Sequence, residues 1–216
     1  MATNQNQQPE EAQVSKTEQF VANNTKNVLG VVAGLILLVV CVFGVRMCNA
    51  NADANAAQSE AMYQAQFDFE AGNYAAALEN FQSVINEFGS SKVGNLAKAY
   101  AGLCQKNLGD YASAIEYLKD YSGDDNILAP AFLSALGDCY VDSETPDYAA
   151  AAKSFEKAAS LAANAQFSPL YLFKAGLAYE KNNDNAKALK AYETIKDKYA
   201  DSELANSIDK YIVRVK

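Results

Sequence analysis

Cysteine and clustered acid are the residue types in this chain that could do chemistry. There are four cysteines, Cys41, Cys48, Cys104 and Cys139, and acidic runs at Asp124-Asp125 and Asp142–Asp147. A thiolate is a nucleophile or a soft metal ligand, and grouped carboxylates hold calcium or trade protons. With no histidine, the chain lacks the usual general base, the triads that depend on it and most catalytic zinc sites. The acidic runs lack the spacing of a calcium-binding helix–loop–helix, and polar loops between helices account for them. Cys104 and Cys139 hold equivalent places in neighbouring repeats, where stacked helices stand about 8–10 Å apart. That separation is beyond the Cα–Cα reach of a disulfide, about 7 Å. Both read as small buried apolar residues, whereas Cys48 is placed for an intermolecular bond. No metal, cofactor, catalytic residue or small-molecule substrate is expected, and the chain is read as a non-enzyme. A net charge of −8 argues against nucleic acid.

The elements around these residues fall into zones. Residues 1–27 form a polar arm. From Val28 to Val45 the run VLGVVAGLILLVVCVFGV carries no charge. As a helix it would span about 27 Å, near the hydrocarbon thickness of a bilayer. It has no polar stripe, and Arg46-Met47 stand where a cleavage site would need small residues. Residues 28–47 are therefore expected to be an uncleaved single-pass anchor. Lys16 and Lys26 precede the run and only Arg46 follows closely, so the positive-inside bias favours export of the larger part. Gly30 and Gly34 form a small-xxx-small pair suited to helix packing in the membrane. Residues 48–57 read as a helical linker.

Residues 58–216 repeat. GNYAAALENF, GDYASAIEYL, DYAAAAKSF and DNAKALKAY align so that Ala77, Ala114, Ala151 and Ala188 share a column at a spacing of 37. Phe81, Leu118, Phe155 and Tyr192 follow four residues later. Tyr74, Tyr111, Tyr148 and Asn185 precede the alanines by three. Upstream, Ala65, Gly102, Gly137 and Gly176 form a second small-residue column. Small residues let two antiparallel helices touch, and the large residue one turn on fills the space beside the contact. Gly before the second helix permits a left-handed turn; repeat 3 has a longer turn around Pro146, and repeat 4 has Asn183 instead of Gly. Residues 201–215 read as a capping helix with Asp201 or Ser202 as its N-cap.

These columns resemble the tetratricopeptide repeat (TPR). The fold class is all-α: a TPR-like α-solenoid of about four helix pairs plus a C-terminal capping helix, preceded by one transmembrane helix. The resemblance implies a groove lined by the first helices at Met62, Gln66 and Phe69; Ala99, Leu103 and Lys106; Ser134, Asp138 and Val141; and Phe173, Leu177 and Glu180. The Lys and Asn set of TPR carboxylate clamps is lacking. The groove is largely apolar, suited to an apolar segment of a protein partner.

The layout of arm, anchor and Ala-rich repeats, with Glu18 and Phe20 before Asn23-Asn24, resembles the ancillary SecYEG translocon subunit (YfgM-like) family. The resemblance implies a bacterial inner-membrane protein with its domain in the periplasm. Its partners would be a SecYEG-type translocon and a membrane-anchored peptidyl-prolyl isomerase-type chaperone. The ending KYADSELANSIDKYI also resembles TPR proteins of envelope assembly, so a scaffold in an outer-membrane or cell-wall complex is the alternative.

Overall fold

The computed structural model describes residues 39–44, 46 and 56–216. The chain divides into two units, residues 1–55 and 56–216. In the first, residues 39–44 and 46 are helical and exposed. Among the described residues no helix is long and apolar enough to cross a membrane. Most of the expected anchor, with Gly30, Gly34 and nearby Cys48, lies outside the described residues.

The second unit is helical throughout. Helix α1 covers residues 56–70. It is followed by α2 (Tyr74–Phe88), α3 (Lys92–Leu108), α4 (Tyr111–Asp120), α5 (Leu128–Asp142), α6 (Tyr148–Ala162), α7 (Ser168–Lys181) and α8 (Asn185–Lys198). A 3₁₀ turn, Ala205–Ser207, leads into α9 (Asp209–Val215). From α2 onward each helix of the pairs packs on its successor, and α3 also touches α5. Short links between packed neighbours make them antiparallel. Helices α1/α2, α3/α4, α5/α6 and α7/α8 are thus four stacked pairs, and this part of the chain is an all-α TPR-like solenoid.

Both small-residue columns lie in the core. Ala65, Ala77, Ala114, Ala151 and Ala188 are fully buried. The glycines of the other column meet the large residue of the same pair. A Cβ on Gly102 would stand 2.7 Å from Leu118 Cγ, and one on Gly137 would stand 2.5 Å from Phe155 Cε1. A Cβ on Gly176 would run into the Tyr192 ring. The missing side chain is the space the large residue fills.

One turn geometry joins three of the pairs. Gly109 has φ +85°, its N–H donates to Lys106 O, and Asp110 N–H donates to Gln105 O. Gly72-Asn73 repeats this pattern. So does Asn183-Asp184, with Asn183 at φ +59°. Asn tolerates the left-handed region better than most residues, so it can replace Gly there. At Asp110 and Asp184 the next residue then caps the second helix, as Asp147 does after the longer turn, whereas Asn73 makes no side-chain cap bond. Carboxylates of Asp110, Asp147 and Asp184 accept from the amides of Ser113, Ala150 and Lys187.

The C-terminal segment differs from a continuous capping helix over 201–215. Ser202 does cap, its Oγ accepting from Ala205 N–H at 3.3 Å. The first turns then close through i→i+3 bonds as a 3₁₀ turn, and α-helix begins at Asp209. Ile208, Ile212 and Val215 are thereby buried against the last pair.

Candidate interaction site

Helices α5, α6 and α7, with α9 beyond them, frame an open cavity of about 620 Å³. Such a volume is in the range that accepts small molecules or partner side chains. Its apolar lining comes from Val141 on α5, Tyr148 and Phe155 on α6, and Leu177 and Ala178 on α7. Asp138, Lys174, Glu180, Lys181 and Arg214 supply its charges.

Most of these charges hold one another in place. Lys174 Nζ donates to both carboxylate oxygens of Asp138, at 3.0 and 2.9 Å, and to Ser134 Oγ at 3.2 Å. It also lies 5.3 Å from the Phe155 ring centroid, so the ammonium joins α7 to both helices of the preceding pair. Glu180 Oε1 accepts from Tyr192 Oη at 2.5 Å and Arg214 Nη2 at 2.7 Å. The Arg214 guanidinium lies over the Tyr211 ring, 4.7 Å from its centroid. Burial, and the carboxylate it bonds, push the Tyr192 phenol above its ordinary range, so it remains a donor at neutral pH. Lys181 has no ion-pair partner among the described residues. The arrangement can hold an apolar side chain while its ionic rim orients a polar backbone.

The groove positions implied by the sequence separate into two groups. Asp138, Val141, Leu177 and Glu180 meet at the cavity, and Ser134 is buried beneath it, bonded to Lys174. The others lie elsewhere. Met62 and Ala99 are core residues, which withdraws them from any partner surface. Phe69 is half-buried, with ring centroids of Tyr74 at 5.5 Å and Tyr100 at 5.4 Å. Phe173 packs edge-on against Tyr211 at 4.8 Å and tilts toward Tyr192 at 6.1 Å. Leu103 is half-buried against the α3–α5 core, and Gln66 and Lys106 are half-buried. Lys174, Tyr148 and Arg214 were not anticipated. A lone Lys inside the apolar stretch SPLYLFKAGLAY was the available signal, because such a cation needs a fixed partner.

The residues first considered for chemistry have structural roles. Asp125 lies ahead of α5, and its carboxylate accepts from the amides of Ile127, Leu128 and Ala129. Partial desolvation opposes ionisation, but these bonds prevail and hold the carboxyl below its usual value. Asp147 is the N-cap of α6. Among the described residues no group of three or more Cys, Asp or Glu could hold a metal ion. Cys104 and Cys139 are free and buried. Burial pushes their thiols up to about 12 and about 11, so neither is an available nucleophile at neutral pH.

A "Tetratricopeptide repeat" family profile matches residues 100–122 and 171–202, over most of the second and fourth pairs and the residues just after them. Two solved structures share the fold. One consists of nearly identical TPR-like repeats from Podosopora anserina assigned to a kinesin light chain; it is 12% identical, with 72% of this chain and 83% of that chain covered at a TM-score of 0.56. The other, the MamA protein, is 19% identical, with 73% and 89% covered at a TM-score of 0.52. At these identities the likeness is one of fold. No curated protein matches the sequence. The chain carries TPR repeats on a TPR-like scaffold, and scaffolds of this class are generally non-catalytic protein-interaction modules.

Proposed function

We propose that the chain is a membrane-anchored TPR interaction module of the bacterial secretory translocon. Residues 28–47 hold it in the inner membrane, and residues 58–216 stand in the periplasm. The partner is a translocon component or a membrane-anchored peptidyl-prolyl isomerase-type chaperone, which inserts an apolar side chain between α5, α6 and α7. The observation that carries this reading is the open apolar cavity at Val141, Phe155 and Leu177, with its charges fixed around it. The uncharged run at 28–45 and the resemblance to the YfgM-like family support the membrane and translocon parts.

The test is co-purification from membranes in mild detergent, comparing wild type with Leu177→Ala. Sec subunits or a membrane-anchored isomerase should accompany the wild type and decline with the variant. Cell-wall or outer-membrane assembly proteins in their place would move the module to another envelope complex. Labelling of a cysteine placed at Ser122 only after lysis would put the domain on the cytoplasmic side and overturn the periplasmic assignment.

A further inference from the structure

Two loops of the solenoid hold large apolar side chains out in water. Ile127 is 70% exposed, and Leu128, Phe167 and Leu170 are each at least 41% exposed. They stand at the starts of α5 and α7, and Ile127 and Phe167 occupy N-cap positions, which ordinarily favour a polar residue. In both loops an upstream side chain, not the N-cap residue's own, bonds the backbone leading into the helix. Asp125 serves α5, and Asn164 Oδ1 accepts from Gln166 N–H at 3.0 Å and Phe167 N–H at 2.8 Å. The side chains of Ile127 and Phe167 thus project into solvent without capping their helices.

Both loops lie on one edge. Because neighbouring helices are antiparallel, α1, α3, α5 and α7 all begin on the same side. The Asn95 side chain, in the first turn of α3, exchanges hydrogen bonds with the backbone of Ser122 in the α4–α5 loop, at 2.7 and 3.1 Å. The chain enters this unit at residue 56, on that same edge. The uncharged run ends at Val45, and the residues between could span about 40 Å at most.

We propose that this edge rests on the lipid bilayer, with Ile127 and Leu128 at the start of α5 and Phe167 and Leu170 at the start of α7 entering the interfacial zone. The proposal rests on the anchored reading given above. A tether at the start of α1 and two apolar contacts farther along the stack would lay the solenoid along the membrane surface. Asp124 and Asp125 adjoin Ile127 and the chain carries net negative charge, so the contact is apolar rather than an attraction to anionic headgroups. The α5–α7 cavity includes none of the four residues and remains open to a partner.

The chain has no tryptophan, so a single substitution creates a unique reporter. Ile127→Trp, Phe167→Trp and Leu108→Trp are introduced separately into the full chain, which is reconstituted into phosphatidylcholine vesicles containing brominated acyl chains. Leu108 is exposed at the end of α3, on the opposite edge. The chain should sediment with the vesicles. Tryptophan at 127 and at 167 should be quenched more than at 108, as expected of an interfacial residue. Sedimentation with equal quenching at all three positions would overturn the edge contact and leave the anchor standing. Shielding of 127 from aqueous quencher without quenching by brominated lipid would mean a protein covers the edge, and would also overturn it. Failure to sediment would remove the anchor and this proposal together.

Discussion

Gly137 and Phe155 are shaped to each other: a Cβ on the glycine would stand 2.5 to 2.8 Å from three carbons of the phenylalanine ring. The ring is buried and packs directly against the glycine, so it sets how closely α5 and α6 approach. Gly137→Ala should therefore overpack this pair and cost about 1–3 kcal/mol. Chemical denaturation should show a lower midpoint with an unchanged slope. A midpoint equal to wild type would mean that the contact is softer than the geometry indicates.

The second small-residue column makes a matching prediction. Ala151 is fully buried, whereas Lys153, two residues on, is exposed on the same helix. Ala151→Leu should cost about 1–3 kcal/mol. Lys153→Leu should stay within about 0.5 kcal/mol of wild type. Thermal melts that rank the two equally would place the repeat register wrongly.

The repeat columns were readable because close approach of two helices leaves little choice of residue. Ala151 and Gly137 are small because a neighbour occupies their space. Asn183 stood out in the sequence as a departure from Gly, yet it takes the same left-handed turn, with φ +59°. The cavity was less legible. In a stacked solenoid a first helix meets its own second helix and the first helix of the next pair, so helical spacing alone does not say which apolar residue faces water. Met62 and Ala99 went to the core for that reason, and Phe173 joined the rings of Tyr192 and Tyr211. Arg214 reaches the cavity from α9, 34 residues beyond its partner Glu180, a distance over which local spacing carries no information.

Stability should decline at both ends of the pH scale. Asp110 and Asp184 lie below the ordinary aspartate value, Asp110 through its bonds from Ser113 and Asp184 chiefly through its bond from Lys187. Asp125 is also lowered. A depressed carboxyl stabilises the fold above its unfolded value, about 3.9, and that contribution fades as pH falls through the lower folded value. Asp110 and Asp125 are exposed and Asp184 only half-buried, so the acid effect should be small. Cys139 and Cys104 are raised to about 11 and about 12. Their contribution is complete below the ordinary thiol value, about 8.5, and is lost as pH rises through the folded values. Urea midpoints across pH 2–11 should show both declines. At pH 8, near the free-thiol value of about 8.5, Cys104 and Cys139 should resist thiol reagents until denaturant is added.

The most direct test of the interaction module is site-specific photo-crosslinking in intact cells. A photoreactive residue at Leu177 faces the cavity, and one at Lys153 is exposed on α6 outside the cavity lining. Position 177 should give a discrete adduct with a translocon component or an envelope chaperone, and position 153 should give none. The adduct should weaken at least about tenfold when Val141→Asp places an unpaired charge in the apolar lining. Matching adducts from both positions, or an adduct from 177 that survives Val141→Asp, would contradict binding at the α5–α7 cavity.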